Sequence, residues 1–404
     1  LVYENCNEAS GTEVIDQSYV LWDTDMLVTH DILITNRTEL EITGALALLK
    51  NARITVEPES KLLLNGGSIG TACDGLWNGI KVHGDPELPQ TSSYQGFVEI
   101  TNGGVIQMAR VGIQTLNSDN TPSGGVISCD DAIFLDNVIG VKMYPYTNTD
   151  MQGNPLPNFS SFRLCRFIFS DFIYDWPAET KQGLSLWGVD GLKIMGCDFI
   201  SNATVAGNPV SNSATGIYSF DAGYWLNKEC TDPFSNPCSN YKTCSFEHLI
   251  YGVYAISDRP TKFISIDTAT FTDCRTGIYM GAISTPRIIR SSFTCNTESS
   301  AFGASDTIVG LYLEECNQYM VEENVFNDLR KNTQPTVGIH VLNSVPQYNE
   351  IYNNSFTGNY AGIVAAGENR DDLGSGLCIK CNDFVSCDYD IYVTADGGSV
   401  PAQL

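Results

Sequence analysis

Positive charge is scarce in this chain of 404 residues, which sets 22 Lys and Arg against 47 Asp and Glu for a net charge of −25. A phosphate-binding surface needs clustered Lys and Arg, so nucleic acid and anionic membrane surfaces are not expected as partners. Long apolar runs are missing as well: none approaches the length of a membrane span, so membrane insertion is not expected. Histidine is rarer still. His30, His83, His248 and His340 are the only four, each isolated in sequence, so no His-based sequence motif is on offer. No stretch carries an apolar stripe of helical period, which removes helices from the expected core. No charged-then-apolar leader follows Leu1, so a signal peptide is expected to have been removed or to lie beyond this sequence.

What the chain does have is a repeated pair, Gly followed by a branched aliphatic. It stands at Gly79-Ile80, Gly112-Ile113, Gly140-Val141, Gly183-Leu184, Gly216-Ile217, Gly252-Val253, Gly277-Ile278, Gly310-Leu311, Gly338-Ile339 and Gly362-Ile363, at spacings of 24 to 43 residues. A second ladder runs in phase, with a large apolar residue seven positions ahead in Ile106/Ile113, Phe134/Val141, Phe246/Val253, Phe271/Ile278 and Phe356/Ile363. The offset stretches for Phe199/Ile217, Phe293/Leu311 and Phe326/Ile339, which reads as loop insertion at one bend. Asn137, Asn202, Asn296 and Asn359 follow ladder phenylalanines by three residues, and stacked coils would align them into an asparagine ladder. Repeats of this length with period-2 strands between them predict an all-β solenoid, a single-stranded right-handed parallel β-helix of the pectate-lyase-like kind. A propeller or sandwich would show hairpin turns at short, regular spacing, and none is found.

Fourteen cysteines are many for a reducing cytosol and point outside it. Cys230 and Cys238 bracket a Pro-rich loop, and a disulfide closing that loop is their simplest use. Cys165, Cys197 and Cys244 each precede a Phe by two residues and are expected to stack as buried small hydrophobes. Cys378, Cys381 and Cys387 invite a metal reading, but no fourth ligand stands at suitable spacing. No cofactor is expected; calcium is the ion the acidic loops could take.

Residues 1–50 carry strand-like runs without the Phe/Gly-aliphatic unit and are expected to form initial coils that cap the solenoid. The helix proper is expected over 51–392, with 393–404 continuing into a longer protein. The series Trp22-Asp23-Thr24-Asp25-Met26, Leu40-Glu41-Ile42-Thr43-Gly44, Trp77-Asn78-Gly79-Ile80-Lys81-Val82-His83-Gly84 and Tyr348-Asn349-Glu350-Ile351-Tyr352-Asn353-Asn354 resembles secreted β-helix proteins of Bacteroidetes. The resemblance implies export by the type IX route and a place at the cell surface or outside the cell. It brings no established chemistry.

Parallel β-helices often act on polysaccharides. Cys129-Asp130-Asp131 and Asn148-Thr149-Asp150 echo polygalacturonase motifs, but in reversed chain order and with no Gly-His-Gly, so they are read as chance. A binding surface is better supported. Long loops cluster in neighbouring coils, over Tyr144 to Asn158, Tyr174 to Pro177, Asn202 to Thr215 and Tyr224 to Cys244, and were they to emerge together they would build a ridge or cleft. Tyr174, Trp176, Tyr224 and Trp225 would stack on sugar rings there while Asp175 and Asp221 bond hydroxyls. Trp187 and Tyr218 are expected to pack in or against the core. The resulting expectation is a non-catalytic extracellular segment, a rigid stalk or adhesin module of a larger surface protein that binds polysaccharide or surface glycan. The alternative is a polysaccharide lyase or glycoside hydrolase working in the groove of the long loops.

Overall fold

A computed structural model describes residues 8–73, 75–170, 181–202, 204–205, 208–209, 212–232, 234–259, 262–296, 307–330, 335–344, 347–370 and 376–395. The chain divides into two compact units, Leu1–Asp198 and Phe199–Leu404. Each unit is built of coils made of three short strands, and each strand pairs in parallel with its counterpart one coil later. The fold is all-β, a single-stranded right-handed parallel β-helix, the hand that parallel crossovers demand. We number the three sheets in the order the chain visits them within a coil.

In the first unit, sheet 1 holds Thr12–Ile15, Asp31–Ile34, Arg53–Val56, Gly79–Val82, Val111–Gln114, Ile139–Met143 and Gln182–Trp187. Residues 12–48 already supply two strands to each sheet, so the regular pairing begins well before the first Gly-aliphatic pair. In the second unit, sheet 1 holds Asn212–Phe220, Leu249–Ile256, Thr276–Gly281, Ile308–Glu314, Thr336–Leu342, Ala361–Ala366 and Tyr389–Thr394. The aliphatics stand opposite one another in register, Ile217 against Val253, Ile278 against Leu311 and Ile339 against Ile363. All six point into the core and are fully buried.

The ladder phenylalanines belong to sheet 3, and their rings form a column inside the coils. Phe199, Phe246, Phe271, Phe293, Phe326, Phe356 and Phe384 stack with centroids 4.6 to 5.0 Å apart and planes within 9° of parallel. That spacing is the strand separation of a sheet, so the column is the sheet pitch expressed in rings. The glycines make room for it. A Cβ on Gly277 would sit 2.7 Å from Phe293 Cδ1 and 2.6 Å from the Gly310 carbonyl oxygen, and Gly216, Gly252, Gly310 and Gly338 meet the next coil in the same way. The Gly-aliphatic pair is therefore a seat for the following coil's ring with an inward anchor beside it.

The corners obey a different rule. In seven coils the residue three before the ladder position takes left-handed backbone whatever its type: Asp131, Leu164, Thr268, Arg290, Glu323, Asn353 and Cys381 have φ between 50° and 59°. Two residues after it, Asp136, His248, Asp273 and Ser386 do the same. A β-branched Thr in this region is an outlier that the stacked coils impose.

The asparagine ladder exists, but one corner away from where the sequence placed it. Asn324, Asn354 and Asn382 stand two residues before a ladder Phe; Asn324 Oδ1 accepts from Ser291 N at 2.8 Å, Asn354 Oδ1 from Asn324 N at 2.9 Å and Asn382 Oδ1 from Asn354 N at 2.8 Å. Cys165, Cys197 and Cys244 occupy this same corner position and are buried, with the Cys165 and Cys197 thiols 3.5 Å from the carbonyls of Cys129 and Phe162. Of the four residues expected to form the ladder, Asn137 and Asn359 are buried and bond neighbouring backbone, whereas Asn202 and Asn296 are exposed.

Candidate binding face

Of the residues proposed for sugar contact, Asp221, Tyr224 and Trp225 are described, and they do not share one solvent face. Tyr174, Asp175 and Trp176 lie outside the described residues. Tyr224 is fully buried, because it neighbours Trp225 in the strand Tyr224–Asn227 and successive strand residues face opposite sides. Trp225 keeps the outer side, 37% exposed, with Phe263 at 6.3 Å. Asp221 is a corner residue, also buried; it accepts from Ser257 Oγ at 2.7 Å and Asp258 N at 2.9 Å. Burial raises its pKa, and these bonds more than offset the rise, so the carboxylate is spent on holding its own corner.

Of the four loops expected to form one ridge, Tyr174 to Pro177 lies outside the described residues, and the other three connect different pairs of sheets. Residues 144–160 join sheet 1 to sheet 2, residues 202–211 join sheet 3 to sheet 1, and residues 228–243 join sheet 2 to sheet 3. Spacing between Gly-aliphatic pairs measures the length of a coil but not the corner where extra residues sit, and each corner accepts an insertion without disturbing the strands. The third loop is closed by a disulfide between Cys230 and Cys238.

A row of aromatic side chains stands instead on the solvent side of sheet 1 in the second unit. Each residue directly after an inward aliphatic points outward, and in consecutive coils these are Tyr218, Tyr254, Tyr279, Tyr312 and His340. The rings stack at 5.5, 4.7 and 5.3 Å from Tyr218 to Tyr312, and His340 lies 4.5 Å from Tyr312. Tyr251 packs edge-on against Tyr254 at 5.0 Å and against Tyr279 at 6.3 Å. The four tyrosines of the row are half-buried, with ring faces covered by one another. Tyr279 Oη donates to Glu314 Oε2 at 2.6 Å. Burial first, and Glu314 second, raise the pKa of Tyr279 and Tyr312. Burial pushes His340 down to about 4, so the imidazole is neutral at neutral pH, against a smaller upward pull from Glu314. Tyr218, expected against the core, heads this outer row. The signal was in the sequence as Gly-aliphatic-Tyr, repeated at Gly216, Gly252, Gly277 and Gly310.

These features define a parallel β-helix protein with a continuous aromatic row on the outside of one sheet. The chain belongs to the NosD family, described as periplasmic copper-binding protein, and residues 170–399 carry the match. No curated protein matches the chain by sequence. Among solved structures it is similar to the Streptococcus pneumoniae surface protein and adhesin PfbA, at 11% identity over 93% of this chain and 91% of that one, with a TM-score of 0.42. It is similar to the mannuronan C-5 epimerase AlgE6 A-module of Azotobacter vinelandii, at 8% identity over 93% and 91%, with a TM-score of 0.41. A mutant of the periplasmic alginate epimerase AlgG gives 12% identity over 95% and 85%, with a TM-score of 0.33. Likeness at these values carries no argument about function.

The described residues do not fit the copper of the family's description. Among the described residues no three His, Cys, Asp or Glu group so as to hold a metal ion. His30 is 2.5 Å from Glu13, His83 is held between Glu57 and Ser118, His248 forms a left-handed corner and His340 is packed on Tyr312. Cys381 is likewise a left-handed corner residue.

Proposed function

We propose that this chain is a β-helix module held outside the cytoplasm that binds an extended, neutral polysaccharide along the tyrosine row of its second unit. The single observation that carries this reading is the run of outward tyrosines in four successive coils at 4.7 to 5.5 Å. A row of phenolic groups at that interval offers repeated hydroxyl and apolar contacts to a chain whose own hydroxyls recur along its length. Since the ring faces are covered, contact is made by ring edges and Oη atoms rather than by rings stacked flat on sugars. The net charge of −25 and the carboxylate of Glu314 within the row disfavour an anionic polymer. The row binds without chemistry, since its one imidazole is buried and neutral.

The disulfide supports a place outside the reducing cytosol, as does the periplasmic description of the family. The resemblance to secreted Bacteroidetes proteins extends this proposal to a stalk or adhesin module exported by the type IX route. Affinity electrophoresis of the whole chain through gels cast with neutral and acidic polysaccharides tests the reading. Retardation by a neutral polymer, weakened at least 10-fold in Tyr254→Ala and Tyr279→Ala, is expected. Equal migration in every gel, or retention unchanged by both substitutions, refutes it.

A further inference from the structure

The first unit holds a second constellation, outside the residues matched to the family. His83 Nδ1 lies 3.1 Å from Glu57 Oε1, and His83 Nε2 lies 3.2 Å from Ser118 Oγ. The imidazole is 6% exposed, whereas Ser118 is open to solvent. We infer that Ser118, His83 and Glu57 form a nucleophile, general base and orienting carboxylate that hydrolyse short-chain carboxylic esters. This goes beyond the binding role of the tyrosine row and does not rest on it.

Three coils bring the members together, and one side chain fixes the reactive pair. Asn117 Oδ1 accepts from Gly84 N at 3.0 Å and Asn117 Nδ2 donates to Gly84 O at 3.0 Å, locking the residue before Ser118 to the residue after His83. The loop is further held by Lys81 Nζ, which donates to Asn117 O at 3.1 Å and Asn120 Oδ1 at 3.4 Å. Asp119 is turned into its own loop, accepting from Thr121 N at 3.0 Å and Thr121 Oγ1 at 2.7 Å. The groups around the imidazole are thus Glu57, Lys81, Ser118 and Asp119. Burial lowers its pKa more than Glu57 raises it, which leaves His83 unprotonated and able to take a proton near neutrality.

A groove opens beside this set, lined by Pro58, Gly84, Pro86, Leu88, Tyr94 and Asn117. Pro58, Gly84 and Asn117 in its lining are the chain neighbours of Glu57, His83 and Ser118, which places the groove next to the set. Its walls combine Pro58, Pro86, Leu88 and Tyr94 with the polar Asp85, Ser93 and Asn117, which suits a small, uncharged ester with apolar and hydroxyl-bearing parts. Ser118 Oγ adds to the ester carbonyl carbon while its proton passes to His83 Nε2. The carbon–oxygen bond to the alcohol breaks, and His83 returns that proton to the departing alkoxide, leaving an acyl-Ser118 ester. Water then adds to the acyl carbon, giving a proton to His83; the bond to Oγ breaks, Oγ regains the proton, and a carboxylic acid leaves. Glu57 holds the imidazole with Nε2 towards Ser118 throughout and balances its transient charge.

The test uses the whole chain with p-nitrophenyl acetate as substrate and a fluorophosphonate probe as covalent label. Hydrolysis above the uncatalysed rate is expected, together with labelling that peptide mass spectrometry places on Ser118. Ser118→Ala, an exposed change that leaves the far-UV circular dichroism intact, is expected to lower the rate about 100-fold or more and to abolish labelling. Glu57→Gln is expected to lower kcat with little change in KM. A folded chain that neither hydrolyses the ester above the Ser118→Ala background nor takes the label overturns the inference, and the three residues then serve only to pin the loop.

Discussion

Replacing Gly277 by Ala adds one methyl group in the place least able to accept it. The glycine does not have left-handed backbone, so Ala is conformationally tolerated and the cost is steric alone. The new Cβ would meet Phe293 Cδ1 at 2.7 Å and Gly310 O at 2.6 Å, and ordinary contact begins near 3.4 Å. The ring has to retreat by several tenths of an ångström. It is clamped between Phe271 at 4.8 Å and Phe326 at 4.6 Å, so retreat in either direction strains the column. Overpacking of this kind costs about 1–3 kcal/mol. Gly281→Ala in the same strand is the milder comparison, since its Cβ would meet Ile256 Cγ2 at 3.2 Å and Tyr279 Oη at 3.3 Å and no backbone atom below 3.0 Å, and a cost below about 1 kcal/mol is expected. Urea unfolding followed by circular dichroism measures both, with hydrogen exchange at residues 276–281 as a local readout. Combining Gly277→Ala with Phe293→Leu should cost less than the sum of the two single changes by about 0.5–2 kcal/mol, because the smaller side chain vacates part of the clash. Strict additivity, or a Gly277→Ala chain as stable as the parent, would show that the glycine is not a seat for the ring.

Three further outcomes follow from named groups. His340 takes its proton only near pH 4, whereas an unfolded His does so near 6.5, so protons favour the unfolded chain between those values. Its contribution is therefore fully retained above pH 6.5 and lost as pH falls, by up to about 3 kcal/mol, and His340→Gln should flatten that part of the stability–pH curve relative to the parent. Asn354 is 1% exposed, its Oδ1 accepts from Asn324 N and its Nδ2 donates to Val321 O and Asn382 Oδ1, so Asn354→Ala should cost about 2–3 kcal/mol in the same unfolding assay, with the Asn324 amide losing exchange protection. Reduction of Cys230–Cys238 should open residues 231–237 to limited proteolysis while leaving the unfolding midpoint of the coils within about 0.5 kcal/mol, since the loop projects from a corner.

The coil architecture was legible in the sequence because two ladders, glycine and phenylalanine, answer to one packing contact and must keep phase. The corners were not. Left-handed backbone is normally read from Gly or Asn, and here Leu164, Thr268 and Glu323 adopt it because the coils above and below leave no alternative. The outer tyrosine row is written plainly, one residue beyond each inward aliphatic, but Gly-aliphatic-Tyr alone does not separate an outward tyrosine from one packed against the core, as Tyr218 was expected to be. Tyr224 failed for a local reason, since adjacent strand residues cannot both face a ligand. Glu57, His83 and Ser118 carry no motif at all. They are 26 and 35 residues apart, and only the return of the chain one coil later brings them within reach.

The seat and ring have a consequence for how such a chain changes length. From Gly216 to Gly362 each glycine seat receives the phenylalanine of the coil that follows, and each of these coils supplies both parts. Deleting one complete turn, from any ladder Phe to the next, brings an equivalent seat and ring together and leaves the column unbroken. Deleting half a turn sets a ring against a Cβ, or a seat against nothing. Gains and losses in this lineage are therefore expected as whole turns within the stack and as free-length segments at the corners, which is the pattern its own irregular spacing already records.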